Sequence, residues 1–305
     1  GSTRRGIAYA YSDKYKKKTL RLGDLLHLDK PHIQSRLKTM LEYKNLELGG
    51  CYHQAPMSYP ALLSWCEKKA EQFAPYITDT GNYIAAALSN HQKVVLEAQL
   101  GAMRDIDYGI FPYTSSSSTI SAYGPIGAGI PGTLPDHIVG VLKAYSTCVG
   151  AGPFTAEKAM PEKWMESLRK SGGEYGAATG RPRRVGPFDA VASAYGLKCQ
   201  NADKIALTKL DVLSHMDEIP VITSYKLNDE IITEFDPLDD LDSMTPVIQM
   251  LPGWNTDISK CRKYEELPEN ARKYIETLEH LLNHEIQFIS VGAERNQYLT
   301  KGEWL

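Results

Sequence analysis

The chain has 305 residues, a formal net charge of −3, 42% hydrophobic residues and 23% charged residues. These values are typical of a globular protein with one large domain or two ordinary ones. Because the charges nearly cancel, no bulk field favours nucleic acid or an anionic membrane, and we expect neither as a partner. No stretch approaches the ~18 apolar residues that a membrane span needs. The five cysteines are widely spaced without a CxxC pair, which argues against a disulfide framework or zinc site and favours a reducing cytoplasm.

Two early segments predict amphipathic helices. Apolar residues recur at three- and four-residue spacing in residues 32–45 and again in residues 60–76, as on one face of a helix. We therefore assign residues 26–92 to a helical subregion of a domain that spans residues 1–305.

The middle of the chain predicts a strand, a long loop and a helix. The apolar run of residues 93–97 predicts a short buried strand. Residues 101–135 predict a loop because they are rich in Gly, Ser, Thr and Pro. Residues 136–147 predict a helix with Asp136 as its N-cap.

The second half predicts helices that alternate with strands. Residues 189–198 and 268–283 predict helices, whereas residues 204–209, 220–225 and 285–292 predict buried strands. Such alternation is typical of an α/β fold.

A small-residue loop followed by three arginines carries the clearest chemistry. The sequence GEYGAATGRPRR occupies residues 173–184 and ends with Arg181, Arg183 and Arg184. Such a loop can aim backbone N–H groups and guanidinium groups at one carboxylate or phosphate. By itself the segment is equally compatible with a solvated basic turn.

Two predicted strand ends suit contacts to a flat purine base. Asp211 follows one strand, and its carboxylate can accept hydrogen bonds from N1–H and N2–H of guanine while the Lys209 stem covers the base. The segment 290–292 ends another strand with small residues that allow close backbone approach. Each segment is also compatible with an ordinary turn.

A polar loop and a histidine pair complete the candidates. Residues 97–119 supply an amide, carboxylates and a run of hydroxyls that can bind a phosphate, or else form a polar surface loop. His280 and His284 have the spacing of a zinc pair but no third ligand, so we expect surface histidines and no metal ligands in the chain.

Eight segments, taken in order, carry a family resemblance. They are GSTRRGIAYAYSDK at 1–14, RLGDL at 21–25, residues 97–116, KAYSTCVGAGPF at 143–154, residues 172–189, LTKLDVL at 207–213, LPGW at 251–254 and residues 290–295. Along essentially the whole chain they resemble the adenylosuccinate synthetase family.

The resemblance implies a fold and an activity. The fold would be P-loop-NTPase-like, with a central mostly parallel sheet flanked by helices. The family joins L-aspartate to carbon 6 of IMP: GTP first phosphorylates the 6-oxygen, and the aspartate amine then displaces that phosphate. Mg²⁺ is the expected metal, GTP is a substrate, and a cytoplasmic homodimer is the expected assembly.

The resemblance also assigns ligand contacts. The residues implied in IMP binding are Thr3, Lys17, Gln99, Ser115 and Arg181. The residues implied in aspartate binding are Ala177, Ala178, Thr179, Gly180, Arg181 and Arg183. The residues implied in GTP binding are Arg183, Lys209, Leu210, Asp211, Ser290, Val291 and Gly292. Lys17 would reach the nucleotide phosphate in the partner subunit across the dimer interface.

One departure from the family pattern bears on activity. The printed sequence lacks the family's G-D-E-G-K-G-K phosphate loop, the catalytic base and acid around it and its magnesium ligand. A phosphate loop supplies the N–H groups and the lysine that hold the transferred phosphate. We therefore expect no ligase activity from this polypeptide alone, and a sheet that lacks its N-terminal part.

Smaller departures leave two alternatives open. Residues that differ from the family pattern are Lys17, Tyr108, Cys148, Ala178 and Pro187, and the family's glutamine is shifted one place to Gln99. Because these changes surround the nucleotide site, the chain could instead resemble the phage enzymes that act on dGMP, or bind nucleotide without catalysis.

Overall fold

A computed structural model describes residues 5–176, 180–302 and 304 of the chain. The chain divides into two compact units. The helical unit comprises residues 2–96 and 126–131, and the sheet unit comprises mainly residues 97–125 and 132–305. Most of the implied ligand residues therefore belong to the sheet unit.

The helical unit confirms both predicted amphipathic helices. Its helices are α1 Ile7–Lys16, α2 Pro31–Tyr52, α3 Tyr59–Phe73 and α4 Thr80–Ser89. Pro31 occupies the first turn of α2, where a missing N–H costs nothing, and the Ser58 hydroxyl caps α3 by accepting from the Ala61 N–H. The apolar faces meet in a small core of Leu28, Ile33, Leu37 and Cys66.

The sheet unit consists of strands that alternate with helices. The short helix α5 Tyr123–Ala128 precedes it. Its strands are β1 Val139–Lys143, β2 Ser146–Cys148, β3 Arg184–Gly186, β4 Phe188–Asp189, β5 Lys204–Thr208, β6 Glu218–Leu227, β7 Glu230–Ile232, β8 Thr245–Pro252, β9 Phe288–Ser290 and β10 Tyr298–Thr300. Its helices are α6 Glu162–Gly172, α7 Ala190–Gln200 and α8 Glu269–Leu282. The predicted helices 189–198 and 268–283 are confirmed as α7 and α8. The predicted strands 204–209 and 220–225 are confirmed as β5 and β6, and the predicted strand 285–292 is shorter, as β9.

The prediction of a helix over residues 136–147 is wrong. This stretch forms β1 and β2, and Asp136 is exposed and caps no helix. Each residue of β1 pairs in parallel register with β5, from Val139 opposite Lys204 to Lys143 opposite Thr208. The pairing supplies the backbone hydrogen bonds that a helix would have supplied locally, so tertiary context overrides the local pattern.

The prediction of a buried strand over residues 93–97 is also wrong. No strand forms there, and Val95 is 89% exposed. A short apolar run becomes a strand only where a second strand pairs with it, and within the described residues none does.

Parallel strands form the central sheet. In the described part of the chain its order is β1-β5-β9-β10, with β1, β5 and β9 parallel and β10 antiparallel. A second sheet joins β4, β6, β7 and β8, and β2 pairs with β3. The predicted α/β class, with a mostly parallel central sheet, is confirmed.

The core lies between this sheet and its helices. Ile205, Leu207 and Ile289 of the parallel strands pack with α8 residues Tyr274 and Leu278, and all five are essentially inaccessible. Burying one such side chain contributes about 1.5–3 kcal/mol to the stability of the fold.

In the described part of the chain no helix has both the length and the apolar character needed to cross a bilayer.

Candidate functional site

The candidate site lies at the carboxyl ends of the parallel strands. Lys143 ends β1 opposite Thr208, the last residue of β5, and Leu207 lies opposite Ile289 of β9. The segments that follow these strands therefore emerge at the same edge of the sheet. Ligands of open α/β sheets bind at this edge.

The Glu174 carboxylate is the centre of the site. It is fully buried and accepts hydrogen bonds from Lys143 Nζ at 2.9 Å, Tyr145 Oη at 2.6 Å and Arg183 Nη1 at 2.8 Å. Lys209 Nζ lies 3.4 Å from the same carboxylate. Among the described residues, three cations thus surround one buried anion, which leaves the cluster with a local excess of positive charge.

The pKa values of the cluster reflect this arrangement. Burial alone would raise the pKa of the Glu174 carboxyl, but hydrogen bonds from Tyr145 and Lys143 and the charges of Lys143 and Lys209 outweigh it and lower the pKa to about 2. The pKa of Lys143 is lowered, chiefly by burial and further by Lys209 and Arg183, against the attraction of Glu174. Glu174 is therefore ionised at neutral pH and compensates part of the positive charge around it.

Local sequence directs Glu174 inward. Helix α6 ends at Gly172, and the capping residue Gly173 adopts φ 60°, a left-handed conformation that glycine accepts without steric cost. The following Glu174 N–H donates to the Arg169 carbonyl oxygen at 2.9 Å, and Arg169 Nε donates to the Arg183 carbonyl oxygen at 3.0 Å. The helix end and the arginine segment are thereby tied together.

The arginine segment returns as a hairpin. The Arg183 N–H donates to the Glu174 carbonyl oxygen at 2.9 Å, and the Gly176 N–H donates to the Arg181 carbonyl oxygen at 2.8 Å. Gly180, with φ 62°, closes the described part of the turn. Arg181 is exposed on the hairpin. Ala177, Ala178 and Thr179, the other implied aspartate contacts, lie outside the described residues.

Arg183 is held on one side only. Its Nη1 donates to Glu174, while its Nε is buried and has no hydrogen-bond partner among the described residues. A buried guanidinium N–H without an acceptor costs about 1–3 kcal/mol, so an acceptor oxygen that the described residues do not supply would stabilise this donor. The ligand role that the sequence implies for Arg183 stays a prediction.

The implied guanine residues occupy the ends of β5 and β9. Burial raises the pKa of the Asp211 carboxyl, although the Lys209 charge opposes the rise. Lys209 has φ 62°, and its ammonium donates to the Gly172 carbonyl oxygen at 2.6 Å. The Ser290 hydroxyl donates to the Gly292 carbonyl oxygen at 3.0 Å.

A cavity lies beside Asp211. Its volume is about 480 Å³, and its lining residues are Ser171, Asp211, Val212, Ser214, His215, Asn255, Thr256 and Asp257. Leu210 and Val291, two further implied GTP residues, have fully buried side chains. These side chains anchor the two loops in the core.

Asp105 organises the polar loop that contains Ser115. The Asp105 carboxylate is buried and accepts from the N–H groups of Asp107, Tyr108 and Thr119. Burial works to raise the pKa of this carboxyl, but the backbone donors outweigh it, and the net shift is downward. The Ser115 hydroxyl lies 2.8 Å from the Ser117 hydroxyl.

The other implied IMP residues lie elsewhere. Gln99 is exposed in the segment that precedes this loop. Lys17 belongs to the helical unit, where it ends α1 with φ 59° and is exposed. Thr3 lies outside the described residues. The ligand roles of Thr3, Lys17, Gln99 and Ser115 stay predictions.

The sequence patterns assign no role to Arg184, but its contacts in the structure show one. Its Nε donates to Glu157 Oε2 at 2.6 Å, its Nη2 donates to Glu157 Oε1, and its Nη1 donates to the Gly152 carbonyl oxygen at 2.8 Å. The guanidinium also lies 5.3 Å from the centre of the Phe154 ring. Arg184 therefore fixes the loop after β2. Glu157 carried no motif signal that could have revealed this pairing.

The described residues contain no cluster of potential metal ligands. No group of three or more His, Cys, Asp or Glu side chains within them is close enough to hold an ion. The Mg²⁺ ion that the resemblance implies therefore stays an expectation.

The fold and this cluster define an α/β protein with a group of cationic side chains at the carboxyl ends of parallel strands. The family model for adenylosuccinate synthetase matches residues 1–299. The adenylosuccinate synthetase of Carboxydothermus hydrogenoformans is 41% identical over 298 residues, which cover 97% of this chain and 69% of the relative. That of Staphylococcus saprophyticus is 36% identical over 306 residues, covering 100% of this chain and 71% of the relative.

A solved structure agrees with these sequence matches. The fully ligated adenylosuccinate synthetase from Plasmodium falciparum superposes with a TM-score of 0.88 at 33% identity, covering 99% of this chain and 70% of that one. The chain belongs to the adenylosuccinate synthetase family, whose members are GTP-dependent C–N ligases. The resemblance drawn from the sequence is thereby confirmed.

Proposed function

We propose that the chain takes part in forming adenylosuccinate from IMP and L-aspartate, with GTP as the phosphate donor. The observation that carries this proposal is the convergence of Arg183, Lys143 and Lys209 on Glu174 at the carboxyl ends of the parallel strands. A site with excess positive charge and an unpartnered buried donor suits ligands that carry several negative charges, as aspartate and nucleotide phosphates do.

In this reaction the γ-phosphoryl group of GTP passes to the 6-oxygen of IMP and GDP departs. The aspartate amine then attacks carbon 6, loses a proton and displaces inorganic phosphate. The chain's own part in these steps is binding and orientation. Arg183 Nε would donate to an oxygen of aspartate or of the GTP phosphates, and Arg181 and Gly180 would complete the aspartate site with the segment 177–179.

The guanine base is assigned to the cavity beside Asp211. Its carboxylate would accept from N1–H and N2–H, a donor pair that adenine lacks, and the backbone of Ser290 and Gly292 would approach the ring. Support comes from the parallel pairing of β5 with β9, which brings both loops to one edge. Leu210 and Val291, which are fully buried, would anchor the two loops.

The IMP contacts and the assembly are part of the same proposal. Thr3, Gln99 and Ser115 would contact IMP, and Lys17 would contact its phosphate in the partner subunit of a homodimer. The exposed position of Lys17 at the end of α1 is compatible with such a contact. Sedimentation measurements on the protein and on Lys17→Ala would separate loss of dimer from loss of IMP affinity.

Ligand binding and turnover test the proposal separately. In calorimetric titrations we expect the 305-residue polypeptide to bind GDP and IMP, with GDP preferred over ADP. We expect no adenylosuccinate from the polypeptide with IMP, aspartate, GTP and Mg²⁺, since its sequence contains no phosphate loop. The same protein joined to a family phosphate-loop segment should form adenylosuccinate. Product from dGMP but not IMP would show a different nucleotide specificity, and absence of all nucleotide binding would overturn the proposal.

A further inference from the structure

Glu174 lies behind the ligand-binding groups. Its side chain has no solvent exposure, whereas the side chains of Lys143, Arg183 and Lys209 are 28%, 34% and 38% exposed. A ligand can therefore reach the three cations but not the carboxylate. Any effect of Glu174 on a bound ligand must pass through these side chains.

Glu174 connects segments with different implied ligands. Arg183 comes from the hairpin implied in aspartate binding, and Lys209 comes from the segment implied in guanine nucleotide binding. Each contacts Glu174, Arg183 through Oε2 and Lys209 through Oε1. Lys143 at the end of β1 contacts the same Oε1, and the Tyr145 hydroxyl completes the set.

Without the carboxylate this arrangement would not hold. Three neighbouring cations repel one another, and each long side chain gains rotamer entropy when it is released. The hydrogen bond from Arg183 Nη1 to Glu174 fixes the plane of the guanidinium and so fixes the direction in which its unpartnered Nε points. The orientation of Arg183 Nε therefore depends on the Glu174 carboxylate, which does not contact the ligand.

We propose that Glu174 is a positioning residue that holds Arg183, Lys143 and Lys209 in the orientation needed to bind the carboxylates of aspartate and the phosphates of the guanine nucleotide together. Lys143 thereby joins the anion-binding groups of the site. The identity of these ligands rests on the proposed function, whereas the positioning of the three cations does not.

Ligand binding gives the first test. Glu174→Gln keeps the shape and one acceptor but removes the charge, so GDP and L-aspartate should each bind about 10- to 100-fold more weakly. Glu157→Gln is the matched control, because it breaks the adjacent Arg184–Glu157 ion pair, which holds no implied ligand residue. It should leave both affinities within about twofold of the wild type.

A direct measurement of orientation gives the second test and needs no ligand. The order parameter of the Arg183 Nε–H bond, measured by NMR on arginine-labelled protein, should fall in Glu174→Gln and stay at its wild-type value in Glu157→Gln. A merely structural role would lower thermal stability without loosening Arg183 in the folded protein. Unchanged Arg183 order in Glu174→Gln overturns the proposal.

A second variant covers the case in which Glu174→Gln does not fold. Glu174→Gln combined with Lys143→Met removes one anion and one cation, so the local net charge of the cluster is unchanged. If Glu174 positions Arg183, the order parameter of the Arg183 Nε–H bond should still fall in this double variant. An order parameter equal to that of the wild type would overturn the proposal. If the wild-type protein binds neither GDP nor aspartate, the proposed function fails, while Arg183 order still decides the role of Glu174.

Discussion

Arg183 and Glu174 are joined twice, once through side chains and once through the backbone. Arg183 Nη1 donates to Glu174 Oε2 at 2.8 Å, and the Arg183 N–H donates to the Glu174 carbonyl oxygen at 2.9 Å. The backbone bond sets the register of the hairpin, and the side-chain bond then fixes the guanidinium. The anion site therefore depends on a hairpin whose register places an arginine opposite a buried glutamate.

Asp211 should determine the preference for guanine. Asp211→Asn replaces one acceptor oxygen with an amide NH₂ group, which only donates, so it cannot accept from both N1–H and N2–H of guanine. We expect GDP to bind about 10- to 100-fold more weakly, with little change in ADP binding, as measured by calorimetry. Asp203→Asn, at the opposite end of β5, is the control and should leave GDP affinity unchanged. Equal losses for GDP and ADP would contradict a base contact.

Arg184 should matter for stability rather than for ligand affinity. Lysine cannot reproduce the paired donation to Glu157 together with the bond to the Gly152 carbonyl oxygen. We expect Arg184→Lys to lower the free energy of unfolding by about 1–3 kcal/mol in urea titrations. Its GDP affinity should match that of the wild type. A tenfold loss of GDP binding in a folded variant would show that Arg184 also serves the ligand site.

Asp189 should make stability depend on pH. Burial raises the pKa of its carboxyl to about 6, above its ordinary value of 3.8, although the Ala192 N–H and the Tyr225 hydroxyl oppose the rise. An acid whose pKa is higher in the folded state stabilises the fold when protonated, and this contribution is lost as the pH rises through about 6.

The variant Asp189→Asn removes this titration and keeps a good helix cap. The free energy of unfolding of the wild type, relative to the variant, should increase by about 1 kcal/mol as the pH falls from about 7.5 to about 5. Histidine titrations cancel in this difference because both proteins share them. A difference that does not change with pH would show that Asp189 is ionised throughout this range.

Gly140 should be needed for the packing of α7 on β1. A Cβ atom at this position would lie 2.6 Å from Leu197 Cδ2, closer than packed atoms allow, and 3.2 Å from the Ala202 Cβ, which is a tight contact. We therefore expect Gly140→Ala to lower the free energy of unfolding by about 1–3 kcal/mol. Gly132→Ala, where a Cβ would meet no atom within 4 Å, should have a much smaller effect in the same thermal or urea measurements. Equal stability of the two variants would show that α7 can shift without cost.

Local sequence patterns predicted those helices and strands whose formation depends on residues close together in the chain. The helices α2, α3, α7 and α8 carry apolar periodicity or a capping residue, and β5 and β6 carry continuous apolar runs. Residues 136–147 and 93–97 have patterns that do not distinguish helix, strand and loop. Residues 136–147 form strands because β1 pairs with β5. Residues 93–97 form no strand because none of the described strands pairs with them.

The sequence by itself determined the family and named most of the groups that suit anions and guanine, because those groups are chemical properties of residues such as Arg183 and Asp211. Only the tertiary structure decided what holds them in place. Glu174 is an unremarked glutamate in the sequence, and its role arises because a left-handed turn at Gly173 and the hairpin return bury it among Lys143, Arg183 and Lys209. Burial and long-range pairing depend on residues far apart in the chain, so no local pattern could contain them.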